Sequence, residues 1–259
     1  IIIMNEIGVD PGIDHMSAKK VLDEIDELNG EMSYFESFTG GLVAPESDDN
    51  PWNYKFTWNP RNVVLAGQGS AAKFIQEGQY KYIPYNKLFR RTEIIEVEGH
   101  GKFEGYANRD SLKYRSIYGL ENIPTIYRGT FRMTGWCETM RNIVKLGWLN
   151  NKPIDGFKGK TYGGLTRYLI KIGLEDDIIK STANFLNLSV YSTVMKRLEW
   201  LGLFGDEILP ENKNNPLDYL NILTSKKMSL NDNERDMIVM HHEFVVETSN
   251  KTEYITSTL

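Results

Sequence analysis

The chain has 259 residues, 41% hydrophobic and 25% charged, with five Trp, 14 Tyr and 11 Phe to furnish a core. That suffices for one large domain or two modest ones. A net charge of −5 argues against non-specific binding to nucleic acid or to an anionic membrane, and no apolar run reaches the roughly 18 residues of a membrane span. The single cysteine, Cys137, rules out an intrachain disulfide and reads as a plain thiol. Nothing argues for an oxidising compartment, and the cytoplasm is expected.

The chain begins with an apolar run, Ile1-Ile2-Ile3-Met4, and residues 1–7 read as a buried strand. The turn Gly8-Val9-Asp10-Pro11-Gly12 leads into a helix reaching about Asn29, with Met16, Val21, Leu22, Ile25 and Leu28 near helical spacing and Gly30 as the stop. Residues 32–38 read as a second strand closed by Gly40-Gly41, and a long polar loop, 44–51, comes next. Loops of that length in a compact domain are more often functional than idle. Asn59-Pro60 has the form of a helix start, with Gly78 as that helix's end. Strands are expected at 79–84, 92–98 and 123–132, then an amphipathic helix at about 134–147. Such alternation argues for a mixed sheet with helical cover. From about 150 the texture turns helical through 230, which suggests an insert. Residues 236–247 and 252–259 alternate like two strands returning to the sheet. Both ends are strand-like, so the chain reads as a piece excised from a longer protein.

Gly67-Gln-Gly69-Ser-Ala-Ala72 after Val63-Val64-Leu65-Ala66 has the outline of a dinucleotide fingerprint. The fingerprint requires a strand, a turn and then a long helix. Only about six residues separate Ala72 from Gly78, so one helix over 60–77, burying Val64, Ala71, Phe74 and Ile75, is the preferred reading. The turn before the first helix is a stronger candidate. Unpaired backbone N–H groups at a helix start favour an anion, and Asp10 would hold a cation or an amine beside it. Alternatively, Asp10 and Asp14 merely cap the helix. Arg109, in Tyr106-Ala-Asn-Arg-Asp110, and Arg132, ending Arg128-Gly-Thr-Phe-Arg132, suit the two-pronged grip of a guanidinium on a carboxylate. Ordinary structural ion pairs account for them as well. His241-His242 are adjacent in an expected strand and would face opposite ways, so they form no metal site, and none is expected elsewhere. His15 reads as a satisfied helix residue.

Several stretches together resemble the saccharopine dehydrogenases of the glutamate-forming kind. They are Asn5 to His15, Gly40-Gly-Leu-Val-Ala-Pro-Glu46, Asp49 to Trp58, Gly105-Tyr-Ala-Asn-Arg-Asp-Ser111, Arg128 to Arg132, Trp200-Leu-Gly-Leu-Phe204 and Asn233 to Val239. The similarity runs from residue 3 to 259, with 150–198 poorly matched. It implies an α/β fold (α+β) whose mixed sheet is covered by helices. The fold would be like the C-terminal substrate and dimerisation domain of glyceraldehyde-3-phosphate dehydrogenase-like oxidoreductases, with a small all-helical insert. Residues 1–149 and 231–259 would form the substrate-binding domain and 150–230 the insert. An N-terminal Rossmann domain, absent here, would carry most of the NAD or NADP site. The implied reaction interconverts saccharopine with L-glutamate and 2-aminoadipate 6-semialdehyde by hydride transfer, in lysine metabolism. The complete protein would be the enzyme, and these 259 residues alone are expected to show no turnover.

By the same resemblance Asp10 contacts substrate and takes the catalytic role. Arg109 binds a substrate carboxylate, Thr130, Phe131 and Arg132 line the substrate, and Val9, Asp10 and Asn59 touch the cofactor. A small amino-acid substrate and a second copy of the chain are the implied partners, with no nucleic acid and no membrane. Where many relatives carry a cysteine before the Gly-Gly pair, this chain has Thr39. Two other classes stay open: a non-catalytic ligand-binding or dimerisation module of the same fold, and a related oxidoreductase for a different amino-acid substrate.

Overall fold

A computed structural model describes residues 2–27, 29–64, 70–157 and 160–259. The chain divides into two compact units. One comprises Ile1–Gly41, Ser70–Arg132 and Ile238–Leu259, the other Leu42–Gly69 and Met133–Met237.

The first unit is built on a mixed eight-stranded sheet, so the chain is of the α/β class. Its helix α1 spans Ile13–Glu27. Ala18, Val21, Leu22 and Ile25 recur at helical spacing and are buried, which fixes the face α1 turns to the sheet. The strands are β1 (Glu31–Val43), β2 (Ala72–Gln76), β3 (Gln79–Ile83), β4 (Thr92–Val97), β5 (Gly101–Ala107), β6 (Thr125–Arg132), β7 (Asp236–Glu247) and β8 (Thr252–Thr258); the short helix α3 covers Tyr114–Tyr118. The order is β3-β2-β6-β1-β7-β8, with β5 pairing β4 and β6. Strands β1 and β6 are parallel, Tyr34 facing Thr125 through Thr39 facing Thr130, while β6 is antiparallel to β2 and β5.

Strand alternation sorts the side chains by face. Phe35 of β1, Ile126 of β6, and Phe244 and Val246 of β7 pack with α1, Tyr114 and Tyr118 in one core. The residues between them point the other way, where Phe38 stacks on Phe131 at 5.1 Å and Phe103 lies 5.3 Å from Phe131.

The helical unit contains α2 (Pro60–Val64), α4 (Trp136–Leu146), α5 (Tyr162–Ile170), α6 (Ile178–Leu186), α7 (Thr193–Leu201) and α8 (Pro216–Lys227). Side-chain oxygens of Thr161, Asp177, Ser192 and Asn215 cap four of these helices at their N-termini. The long polar loop expected at 44–51 is pinned from α7. Buried Arg197 donates to the Pro51 carbonyl at 2.6 Å, and the Trp52 indole N–H donates to the Arg197 carbonyl at 3.1 Å.

Several expectations from sequence do not hold, among them the closure of the second strand at Gly40-Gly41, since β1 runs on to Val43. Residues 2–7 form no strand and are exposed, because a strand needs a ladder partner as well as apolar side chains. The helix expected over 60–77 stops at Val64, and Ala72–Gln76 is a strand. The reason is a two-residue hairpin: Gln76 pairs with Gln79, and Glu77 and Gly78 both have positive φ, 52° and 73°. That is the type I′ geometry matching strand twist, so Gly78 turns a hairpin rather than ending a helix. Leu65–Gly69, with most of the dinucleotide-like motif, lies outside the described residues, but the strand that starts at Ala72 stands where a dinucleotide turn requires a helix. Strand β5 contains two glycines, and no sequence expectation covers it. A Cβ on Gly105 would lie 2.6 Å from the Phe38 ring, and one on Gly129 would lie 2.5 Å from that ring and 2.9 Å from the Tyr106 carbonyl oxygen.

Phe38 therefore needs both glycines beneath it. Gly129→Ala is expected to lower the unfolding free energy by about 1–3 kcal/mol, the usual cost of overpacking. Urea denaturation followed by circular dichroism measures it, and a change within about 0.5 kcal/mol would contradict this packing.

Candidate functional site

The sheet unit gathers its charged side chains where α1 begins. The turn before α1 is closed on itself: Ile13 N–H donates to Gly8 O at 2.9 Å, Asp14 N–H to Val9 O at 3.0 Å and His15 N–H to Gly12 O at 3.1 Å. Gly12 N–H donates to Asp14 Oδ1 at 2.7 Å, and the Asp10–Pro11 bond is cis. The first-turn N–H groups thus have protein partners, and two carboxylates stand beside them. The anion site expected at this helix start is not available, and the negative charge there repels a phosphate.

Arg128, from the middle of β6, reaches this turn. Its Nη2 donates to Asp10 Oδ1 at 2.9 Å and to Asp14 Oδ2, and its guanidinium lies 4.0 Å from the Tyr114 ring centre. The three side chains differ in exposure: 5% for Arg128, 1% for Asp14 and 23% for Asp10. Burial pushes the Asp10 carboxyl above its ordinary range, against the lowering effect of Arg128 and with a further upward push from Asp14. His15 stacks on Tyr114 at 5.0 Å, and its Nδ1 is 2.6 Å from the Tyr118 hydroxyl. Behind it His242 bridges two hydroxyls, Ser17 Oγ at 2.6 Å and Ser37 Oγ at 2.9 Å. Burial pushes His242 down to about 4. His241, its neighbour on β7, pairs with Thr258 and Glu243. No group of three His, Cys, Asp or Glu side chains among the described residues is arranged to hold a metal.

The residues singled out from sequence come from a turn, a loop, a strand and a helix start. Thr130 is on the Arg128 face of β6, faces Thr39 across the parallel ladder, and donates to Asn108 Oδ1 at 2.6 Å. The loop carrying Arg109 is fixed through its backbone: Asn108 N–H donates to Arg128 O at 2.8 Å, and Arg109 O accepts from Lys73 N–H at 3.0 Å. Its side chain is left at the surface. Arg132 is buried, with Nη1 donating to the Phe131 carbonyl at 2.8 Å and the guanidinium 5.9 Å from the Tyr106 ring. Phe131 is fully buried in the aromatic cluster on the opposite face. Val9 is half-buried. Asn59 belongs to the helical unit, where its Oδ1 accepts from Arg61 N–H at 3.1 Å.

Sequence reasoning assigns no site role to Arg128, Asp14, His15, Tyr118 or His242. The available signal was alternation, since Arg128, Thr130 and Arg132 share one face of β6.

The sequence profile of the saccharopine dehydrogenase C-terminal domain matches residues 8–259. The chain belongs to this family. Among relatives of this saccharopine dehydrogenase domain, it is 36% identical to saccharopine dehydrogenase [NADP(+), L-glutamate-forming] of Saccharomyces cerevisiae. That alignment takes in 100% of the chain and 59% of the yeast enzyme. It is 33% identical to the mitochondrial alpha-aminoadipic semialdehyde synthase of Bos taurus, over 94% of the chain and 27% of that protein. The apo, histidine-tagged saccharopine dehydrogenase (L-Glu forming) from S. cerevisiae superposes with a TM-score of 0.88 at 33% identity, over 98% of this chain and 58% of that one. The chain thus spans a little over half the length of its yeast relative. Among the described residues no helix is long and apolar enough to cross a membrane.

His242 gives the family domain a pH-dependent stability. Unfolded, the imidazole titrates near 6.5; folded, burial holds it neutral down to about 4. Between these values the unfolded state binds the extra proton, so stability is lost as pH falls. The loss attributable to His242 reaches roughly 3 kcal/mol at the acid end. Chemical denaturation of wild type and His242→Gln at pH 7 and pH 4.5 is expected to show a smaller acid-side loss in the variant; equal losses would contradict this assignment.

Proposed function

We propose that this chain is the substrate-binding domain of a saccharopine dehydrogenase, and that the complete protein interconverts saccharopine with L-glutamate and 2-aminoadipate 6-semialdehyde. The supporting observation is the family match over 8–259, with relatives named for this reaction aligning along the whole chain. The ion cluster adds a chemical reason. Two carboxyls, Asp10 and Asp14, share the single guanidinium of Arg128, and Asp10 is the more exposed of the two. A partly exposed carboxylate suits a cationic nitrogen, and saccharopine carries a secondary amine between three carboxylates. Asp10 holds that amine in its charged form and takes up or returns its proton. The surface Arg109 guanidinium grips a carboxylate, with Thr130 beside its loop.

Yeast relatives are named for NADP(+); NAD or NADP is the cofactor here, supplying or accepting the hydride when bound. The residues of this chain fit only a minor share in holding it. The start of α1 is closed to phosphate by Asp10 and Asp14, so the nucleotide falls to another part of the complete protein, with Val9 and Asp10 touching its reactive end. A homodimer is the proposed assembly, and a reducing compartment, the cytoplasm, suits the buried thiol of Cys137.

The test is turnover of saccharopine by the complete protein with each cofactor, alongside Arg109→Ala. The wild type is expected to be active. Arg109→Ala is expected to raise the saccharopine KM by about tenfold or more, the worth of a charge-assisted pair. No turnover with either cofactor would overturn the function, and an unchanged KM would remove Arg109 from it.

A further inference from the structure

Arg128 is held more firmly than carboxylate binding by itself requires. Its own N–H donates to Ser111 Oγ at 2.9 Å, and its carbonyl accepts from Asn108 N–H at 2.8 Å, so the strand position is set from both sides. The guanidinium lies against the Tyr114 ring at 4.0 Å. One nitrogen, Nη2, serves both Asp10 and Asp14. Asp14 is itself fixed, with Oδ1 taken by Gly12 N–H at 2.7 Å and Oδ2 by Arg128. Arg128 and Asp14 are therefore locked in place, and Asp10 is the member of the trio with access to solvent.

We propose that Arg128 is the positioning residue of the site: anchored by Asp14 and Tyr114, it sets the direction in which Asp10 meets the cationic nitrogen of the substrate. The inference rests on the reading of Asp10 as the amine-holding residue. It assigns Asp14 a role too, since a buried guanidinium with one carboxylate partner would be drawn fully onto Asp10 and neutralise it. Shared between two carboxylates, Arg128 orients Asp10 and leaves it charge for a ligand. An amine docked there meets an oriented carboxylate rather than one free to rotate, which removes an orientational cost from binding and reaction.

The proposal fixes opposite effects for two neighbours. Arg128 lowers the Asp10 carboxyl, while burial and Asp14 raise it. The other groups around Asp10 are His15 on α1, which lowers it, and Tyr114 and Tyr118 on α3. Beyond His15, Glu6 Oε2 is 3.6 Å from its Nε2, and Lys113 Nζ is 3.6 Å from Glu6 Oε1. On β7, His242 interacts with Asp14. Asp10 must be ionised to hold the amine, so the acid limb of kcat/KM follows its titration. Removing Arg128 moves that limb to higher pH, and removing the Asp14 charge moves it to lower pH. A residue that mattered only for folding would not produce shifts of opposite sign.

The experiment is the pH profile of kcat/KM for saccharopine in the complete protein, for wild type, Arg128→Gln, Arg128→Lys, Asp14→Asn and Asp10→Asn. Arg128→Gln is expected to move the acid limb up by about one pH unit or more and to lower kcat/KM by about tenfold or more. Arg128→Lys restores charge without the shared geometry, so its limb returns toward wild type while kcat stays low. Asp14→Asn moves the limb down. An unmoved limb in Arg128→Gln, or shifts of the same sign in Arg128→Gln and Asp14→Asn, overturns the proposal. If Arg128→Gln does not fold, Asp14→Asn decides: a downward move supports the assignment, and any other result overturns it. Asp10→Asn separates the two readings. Wild-type kinetics there removes Asp10 from the site and the proposal with it. A severe loss there, with an unmoved limb in Arg128→Gln, removes the positioning role alone. If the wild type does not turn over saccharopine, the proposed function falls, and the Asp10 carboxyl is followed by 13C NMR. A higher midpoint in Arg128→Gln then supports the positioning role, and an unchanged one overturns it.

Discussion

A buried guanidinium placed between two carboxylates is the constraint on which the sheet unit is arranged. Taking Arg128, Asp14 and part of Asp10 out of water costs several kcal/mol per ion before any pairing offsets it. The cost is tolerable only if each partner is delivered accurately, and three separate elements do this. Strand β6 brings Arg128, the closed turn before α1 brings Asp10 and Asp14, and α3 brings Tyr114 against the guanidinium. The same α1 that presents Asp14 buries Val21, Leu22 and Ile25 two turns further on. At about 1.5–3 kcal/mol for each fully buried aliphatic side chain, its apolar face supplies the stability that the charged end consumes. Core and site are therefore one device: the register that seats Ile25 also seats Asp14.

Much of this is legible in the sequence, for identifiable reasons. The apolar period of α1, the alternation in β6 and β7, and the helical texture after about 150 are local signals, and those elements form close to where the pattern places them. The failures share a cause. Ile2, Ile3 and Met4 are as apolar as a strand, yet a strand is made by its neighbour. Gly78 reads as a helix stop because a two-residue hairpin is apparent only when Ala72–Gln76 is matched with Gln79–Ile83. Gly105 and Gly129 make room for one ring, Phe38, arriving from a strand over sixty residues earlier, and nothing local to either glycine announces that.

The site divides the same way. Asp10 and the Arg128–Arg132 stretch stand out in sequence, but Asp14 reads as a helix cap. In fact it caps and pairs at once, one oxygen on Gly12 and the other on Arg128. Arg128 reads as ordinary motif context because its partners lie more than a hundred residues away. The anion site expected at α1 shows how a local rule is overridden. A helix start binds anions through unpaired N–H groups, and here the turn has already used them, with acidic side chains placed where an anion would sit. Of the two ligands expected there, an anion at the helix start and a cation or amine at Asp10, the turn leaves no room for the first.

The two faces of the sheet then show why pairing matters. On the α1 face, two carboxyls share a guanidinium and the more exposed of them reaches the surface. On the other face Glu36 is buried, and the pull of Arg91 is the smallest influence on it. Its burial, reinforced by Glu93 and Glu243, pushes its carboxyl up to about 8, and nearby Tyr34 is pushed upward as well. At neutral pH a carboxyl in that position is largely protonated and acts as a neutral hydrogen-bonding group. Burial pushes both Glu36 and Asp10 upward. Glu36 relieves its burial by giving up its charge, whereas at Asp10 the Arg128 guanidinium in contact with it opposes that push. Only a carboxylate that stays charged while partly shielded from water discriminates strongly for a cationic nitrogen. That separates Asp10, which reaches solvent beside a guanidinium, from buried Glu36.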